Sequence, residues 1–520
     1  MNNDKRKGTS LKLGKETLIL FIIFGIGCFA RLVLLGEVPN GLQQDEAFSG
    51  YEAYSLLHYG VDSWGYSYPV YLTTWGSGMS VMNTLLIIPF FALFGASSVT
   101  LRLPQAILGV ITLYVFYRLM MLMFRNDFFV SAVATFILSI NPWHILLSRW
   151  GLDCNLAPAF CLIAFCFFVK GVDDSRFYPV SAFFYGLTLY CYAIAWIMIP
   201  VFLLIQGIYL IWVRRFKIDR YIFISGLIVG LMAIPLVLFV LVNSGRLPEI
   251  VLPFISIPRM PVYRGSEINF GNQIYRFVFF VKSIVSQDDG LIWNYAGPYG
   301  LFYYWGLPLA VIGAVVLFIR CFMSFKKREY HPEVMLFLQF VFCILFSQMI
   351  DTDFSKMNLT FIPMFMMISL GAVFLVNRLK NGKVRNIGII AGFTLGMISF
   401  ICFQVYYYSD YQALVVGNFK TGLKQSVEYA ESIRDDGVIY LQDYPSYPCV
   451  LFYSKAPADD PELNSSRSKG IKTVSFTHYS TDIDASHSGD ICILLTDSSP
   501  DWIDENNILY SSGEYMVVRR

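Results

Sequence analysis

Eleven apolar segments recur along the chain, near residues 18–36, 103–124, 128–147, 155–172, 178–194, 196–213, 221–243, 301–322, 333–350, 358–377 and 385–407. A helix needs roughly 20 apolar residues to carry its backbone across about 30 Å of hydrocarbon. Most of these segments meet that length, which predicts a polytopic α-helical membrane protein. The chain is 56% hydrophobic and only 15% charged, against about 25% charged in soluble domains. Its net charge of +2 offers none of the basic excess that nucleic acid requires, so no nucleic-acid partner is expected. The first apolar segment is expected to stay on the chain, because its run is long and no small-residue cleavage site precedes Gln43-Gln44-Asp45-Glu46.

Orientation follows from Lys and Arg, which collect in short cytoplasmic loops. Lys5, Arg6, Lys7, Lys12 and Lys15 precede the first segment, and Arg118 and Arg125 flank the end of the second. Arg214, Arg215, Lys217 and Arg220, then Lys326, Lys327 and Arg328, then Arg378, Lys380, Lys383 and Arg385 follow later ones. All fall on one side only if the apolar stretch 81–95 does not cross. It has about 15 residues and an internal Pro89, which suits a helix lying against the membrane surface. The expected topology puts the N-terminus in the cytoplasm, with residues 37–102, 148–154, 244–300 and 351–357 outside. The expected site is the plasma membrane.

From Asn418 the pattern changes. A helix is expected over about Lys424–Arg434, with short β-like runs at Gly437–Leu441, Cys449–Tyr453, Asp490–Leu495 and Tyr515–Val518. The chain therefore divides into a membrane region, 1–417, and a small extracytoplasmic α/β domain, 418–520. Most of the ten cysteines sit singly in apolar runs and show no zinc-type spacing. Cys449 and Cys492 lie in the polar tail, where pairing is open to them.

The outer loops hold the chemistry-bearing residues. Asp45 and Glu46 follow the first segment, where low dielectric raises a carboxylate pKa and makes base chemistry accessible; an exposed acidic pair is otherwise solvated surface. Asp153, in Ser148-Arg149-Trp150-Gly151-Leu152-Asp153, is either a functional carboxylate or a helix N-cap. Arg102 stands where the positive-inside pattern would not put it. It needs an anion, whether a carboxylate, a lipid headgroup or a phosphate. His144 reads as a hydrogen-bonded interfacial histidine or a metal ligand, and Tyr406, Tyr407, Tyr408, Trp293 and Trp305 as an aromatic belt or as sugar-stacking platforms. Carboxylates able to take a proton and arginines able to hold a phosphate, together at a bilayer lip, suit sugar transfer from a lipid phosphate.

Several motifs in order carry a resemblance. Arg31-Leu32 followed by Asp45-Glu46-Ala47, Leu93-Phe94-Gly95 followed by Arg102-Leu103-Pro104, Ser148-Arg149 with Gly151 to Pro158, and Asn358 with Pro363 together resemble the GT-C glycosyltransferases of the protein O-mannosyltransferase and aminoarabinose-transferase type, glycosyltransferase family 39. The match is good over roughly residues 15–200 and architectural beyond. It implies an inverting transfer from a polyprenyl-phosphate-linked sugar to a lipid, glycan or protein acceptor, with Asp45 as general base and Glu46 beside it. It further implies that Asp153 orients the acceptor or joins Asp45 in holding a divalent cation. Arg102, with Arg149 or Lys356, would neutralise the leaving phosphate. Where many relatives carry a basic or histidine residue and paired prolines, this chain has Thr74-Trp75-Gly76-Ser77-Gly78. Asn358 is followed by Leu359-Thr360-Phe361 rather than Arg-Tyr, with Lys356 nearby as a substitute cation. A transporter or lipid flippase is the rival reading. Such proteins place ionisable groups midway along their spans, whereas here the distinctive charges gather at segment ends.

Overall fold

A computed structural model describes residues 4–520 except 76, 264–267, 461, 464–473 and 499; the side chains of residues 4–13 and 505 lie outside the described set. Lys5, Arg6, Lys7 and Lys12 of the expected N-terminal basic cluster, and Gly76, therefore fall outside it.

Helix α1 (Asp4–Leu32) leads into α2 (Gln44–Tyr59), a hairpin of β1 (Tyr71–Leu72) and β2 (Met79–Ser80), and α3 (Met82–Phe94). The bundle continues through α4 (Ser98–Met123), α5 (Phe128–Ser139), α6 (Pro142–Leu147), α7 (Ala157–Asp173), α8 (Tyr178–Leu189), α9 (Ala195–Trp212) and α10 (Arg220–Asn243). After the hairpin of β3 (Ile250–Leu252) and β4 (Ile255–Ile257) come α11 (Gln273–Ser286), α12 (Gly306–Lys327), α13 (Pro332–Phe346), α14 (Phe361–Arg378), α15 (Gly382–Tyr408) and α16 (Asp410–Leu414). All eleven expected segments are helical over most of their length. Among the described residues, seven helices are long and apolar enough to cross a membrane, counting the short 3₁₀ turns that lead into α7 and α14 as part of them.

The shorter helices have local causes. The segment expected at 128–147 is broken because Asn141 caps a new helix, its side chain accepting the His144 N–H with Pro142 in the first turn. The 13-residue α3 also falls short of a crossing. Within the bundle α12 and α14 meet through glycines. A Cβ on Gly313 would lie 1.8 Å from the Met367 carbonyl, and one on Gly371 would lie 2.0 Å from that of Leu309. Only hydrogen at both positions lets two backbones approach so closely.

The basic loops gather at one end of the bundle. There Arg215 pairs with Asp173, Arg320 with Glu333, and Arg385 lies over the Phe129 ring. The opposite end carries the long loops and the C-terminal region.

That region contains α17 (Leu423–Ile433), β5 (Ile439–Leu441), α18 (Tyr447–Ser454), β6 (Ser475–Phe476), β7 (Tyr479–Ser480), β8 (Ile491–Leu495), β9 (Ile508–Ser512) and β10 (Tyr515–Arg519). The strands form one mixed sheet in the order β6-β7-β5-β8-β10-β9, with β5 parallel to β7 and β8. Cys449–Tyr453, expected as a strand, is helical: Pro448 in the first turn of α18 fixes a helical φ, and Val450, Leu451 and Phe452 then bury on that helix. Side chains alternate across the sheet. Ile491, Ile493, Tyr515 and Val517 face α17 and α18, and Cys492, Leu494, Met516 and Val518 face the other way. Cys449 on α18 and Cys492 are thus separated by the sheet, both buried and both free thiols, which corrects the open pairing.

The tail shares its core with the first long loop. Phe452 stacks on Phe91, Tyr51 Oη donates to the Ala456 carbonyl at 3.2 Å, and the Cys449 thiol contacts the Leu42 carbonyl. A Cβ on Gly41, which has φ +85°, would lie 1.9 Å from the Phe419 carbonyl, so this crossing requires glycine for both conformation and space.

Candidate active site

The first turn of α2 sets the site. Gln43 caps the helix, its side-chain oxygen accepting the N–H groups of Asp45 (2.6 Å) and Glu46 (3.2 Å), while Glu46 Oε2 accepts the Gln43 N–H at 3.4 Å. This reciprocal box satisfies donors that a helix start leaves open. It also turns the two adjacent carboxylates apart.

Glu46 points inward and is fully buried. It forms a two-pronged pair with Arg102, Nε to Oε1 at 2.8 Å and Nη2 to Oε2 at 3.0 Å, and also accepts the Gly151 N–H at 2.9 Å. The remaining Arg102 donors go to the carbonyls of Leu35, Pro39 and Gly41. All five of its N–H groups are engaged, so Arg102 presents none to a phosphate. Arg149, equally buried, donates to the carbonyls of Ala30, Leu34 and Val38 and to the Tyr407 hydroxyl, with its guanidinium over the Tyr407 ring. Arg31 completes the set, donating to the Gly27, Leu138 and Ser139 carbonyls and to His144 Nδ1. Helix ends leave carbonyls unpaired, and these arginines take up those of α1, of the loop after it and of α5. The structure places Glu46, Arg102 and Arg149 in a clamp behind the cavity. His144 and Tyr407 belong to that clamp.

Asp45 faces a different space, a cavity of about 580 Å³ at the loop end of the bundle. Asp153 and Lys356 line the same cavity, and Asp353 joins them. Asp153 is buried, with Oδ2 accepting the Ser80 N–H at 3.0 Å and Oδ1 the Cys154 N–H at 2.7 Å. Its loop is pinned from three sides: Asn83 Nδ2 donates to the Gly151 carbonyl, Glu46 accepts the Gly151 N–H, and Asn358 Nδ2 donates to the Cys154 carbonyl at 2.6 Å. Lys356 Nζ donates to the Asp351 carbonyl at 3.1 Å and lies 3.8 Å from Asp353 Oδ2. One wall is aromatic, with Tyr71, Trp75, Trp196, Phe239, Tyr263 and Trp293.

Burial raises the Asp45 carboxyl above its ordinary range, partly offset by hydrogen bonds from the Trp75 and Gln43 side chains. Trp75 is itself held edge-on by two rings of the tail, Tyr444 at 5.7 Å and Tyr447 at 5.0 Å. The tail thereby reaches the cavity through one indole. Nothing in the sequence singles out Asp353 beyond its position three residues before Lys356 in the loop 351–357. Trp293, open to a role as belt residue or stacking platform, stands in the cavity wall.

Asp45 and Asp153 are the two groups expected to share a cation. Among the described residues no group of three or more His, Cys, Asp or Glu side chains comes together as a metal site would need. Both Asp153 oxygens are already committed to backbone N–H groups. No step is assigned to a cation.

The profile of the dolichyl-phosphate-mannose-protein mannosyltransferases matches residues 80–239, from β2 to α10. Over nearly its whole length the chain superposes on ArnT from Cupriavidus metallidurans in the apo state, with a TM-score of 0.56 at 11% identity, covering 98% of each chain. Its fold is that of the GT-C glycosyltransferases. ArnT bound to undecaprenyl phosphate matches at a TM-score of 0.54 and 11% identity, covering 97% of this chain and 98% of that one. The Archaeoglobus fulgidus oligosaccharyltransferase AglB, in complex with an inhibitory peptide and a dolichol-phosphate, matches at 0.52 and 12% identity. That match covers 86% of this chain and 65% of AglB. No curated protein matches by sequence. In this GT-C fold the cavity lies at the loop end of the bundle, beneath the tail.

Proposed function

We propose that the protein is a membrane glycosyltransferase that moves a sugar from a polyprenyl-phosphate donor to a lipid, glycan or protein acceptor, with inversion. The observation that carries this reading is the cavity that gathers Asp45, Asp153 and Lys356 at one end of an apolar bundle. Asp45 takes the proton from the acceptor hydroxyl or amine as that atom attacks the anomeric carbon. The bond from that carbon to the phosphate oxygen breaks, and the electron pair leaves on the polyprenyl phosphate. A carboxyl raised by burial is a better match to this task than an ordinary one, because general bases work best with a pKa near the operating pH. Lys356 supplies positive charge for the leaving phosphate in place of Arg102 and Arg149, stabilising charge that develops in the transition state. Asp153, fixed by two N–H groups, orients the acceptor.

The basic loops at the other end support a cytoplasmic N-terminus and an extracytoplasmic cavity. The tail, residues 418–520, then covers the site from outside, and the enzyme resides in the plasma membrane. The bound undecaprenyl phosphate of ArnT and dolichol-phosphate of AglB support a lipid-linked donor. The rival transporter reading gains nothing from the cavity, whose carboxylates lie at an end of the bundle and not midway along it.

The test is transfer by purified protein supplied with polyprenyl-phosphate sugars, read as release of free polyprenyl phosphate. Asp45→Asn is expected to abolish release while leaving abundance and melting unchanged. Full activity in that variant would remove the assignment.

A further inference from the structure

A second cavity, of about 540 Å³, opens at the basic end of the bundle, between the end of α4, the start of α5, and α12, α13 and α14. Its inner wall is apolar, with Met123, Val130, Val316, Leu370 and Phe374. Charges of both signs line the remainder: Arg125, Arg320 and His331 against Asp127 and Glu333.

These charges do not all satisfy one another. Arg320 Nη1 donates to Glu333 Oε1 at 2.9 Å and His331 Nδ1 lies 3.5 Å from the same oxygen. Glu333 is buried, yet its Oε2 has no hydrogen-bond partner among the described residues. A carboxylate oxygen buried without a donor is costly. Arg125, at φ +53° just past α4, is exposed and makes no hydrogen bond or ion pair with the described residues. Asp127 caps α5 through Oδ1, which accepts the Val130 N–H at 3.2 Å, leaving its second oxygen for another donor.

A simple anion in this cavity would meet Asp127 and Glu333. A simple cation would meet Arg125 and Arg320. A group carrying phosphate and ammonium together, on an apolar body, suits both charge sets and the wall. We propose that this cavity binds an aminophospholipid headgroup, with the phosphate on Arg125 and Arg320, the ammonium on Asp127 and Glu333, and the first methylenes of the chains against Val316 and Phe374. Basic pockets between helices are a known means of holding lipid headgroups, and a zwitterion accounts for the acidic residues that a purely anionic lipid would oppose. The site lies at the other end of the bundle from the transferase cavity and does not depend on that activity.

The test uses delipidated full-length protein in detergent, titrated with short-chain phosphatidylethanolamine, phosphatidylglycerol, phosphatidylcholine and inorganic phosphate. The readouts are thermal shift and lipid retention in native mass spectrometry. Phosphatidylethanolamine is expected to half-saturate at roughly ten-fold lower concentration than the other two lipids, the worth of about one charge-assisted contact. Arg125→Gln should weaken both phosphatidylethanolamine and phosphatidylglycerol by about the same factor. Asp127→Asn, which keeps an equally good helix cap, should remove the preference for phosphatidylethanolamine alone. Equal half-saturation by all three lipids, or variants that bind as the parent does, would overturn the proposal. A full shift by inorganic phosphate would reassign the cavity to a free anion.

Discussion

The arginine clamp behind the first loop and the acidic wall in front of it draw on neighbouring residues, yet they spend their charge in opposite ways. Asp45 and Glu46 are adjacent, and one helical step of about 100° separates a carboxylate facing a cavity from one locked against Arg102. In the clamp every strong donor finds a protein acceptor, most of them carbonyls that helix ends cannot satisfy. On the wall Asp45 and Lys356 line a cavity that has room for something that is not protein. The lesson is that a charge at the end of a membrane helix is functional by virtue of what its partners leave over, not by virtue of its position.

The largest expected effect belongs to the wall. Asp45→Asn should lower kcat by about 10³-fold, within the usual range for a general base, with the melting temperature unchanged. A full rate in that variant breaks the comparison at its strongest point. Next comes the clamp, where Arg102→Ala strands Glu46 in the interior and should destabilise the fold by roughly 3–5 kcal/mol. Detergent melting monitored by tryptophan fluorescence would register this, and the pair Arg102→Met with Glu46→Gln should recover much of it. Should Arg102→Lys instead melt normally and raise the KM for donor, Arg102 is a phosphate ligand after all and the two regions are not distinct.

Lys356→Ala should raise the donor KM about ten-fold, the scale of one charge-assisted contact, with a smaller effect on the acceptor KM. Initial rates at varied donor and acceptor separate the two. The smallest effect concerns pH. Asp45 must be ionised to accept a proton, and its pKa is raised, so the rate should fall on acidification at a pH above the ordinary carboxylate range. Trp75→Phe removes a hydrogen bond to the ionised form and should move that limb further up, by less than about one pH unit, while Tyr447→Phe should not move it.

The bundle was legible because hydrocarbon thickness dictates segment length, and the stretch 81–95, too short for a span, is the 13-residue helix α3. The break at Asn141-Pro142 was not, since both residues sit inside an otherwise apolar run and only the cap geometry shows the new helix. Asp45 and Asp153 were legible as acidic groups at segment ends. Glu46 was not separable from Asp45, because which of two adjacent residues faces inward depends on the angle at which α2 docks. The protein acceptors of Arg102 and Arg149 were not legible for a related reason. An arginine out of place signals an acceptor, but neutral carbonyls leave no mark in a sequence. Cys449–Tyr453 carried a strand-like composition, and the preceding Pro448 decided otherwise.

The shared core of the first loop and the tail joins positions that are 405 residues apart, Tyr51 and Ala456. A ribosome releases the first loop long before it makes the partner that covers it. During synthesis the apolar faces of α2 and α3 must wait uncovered through every later span, and Trp75 has no aromatic brace until Tyr444 and Tyr447 emerge. The pocket that begins at Asp45 is among the earliest parts of the molecule to be made and among the last to be finished.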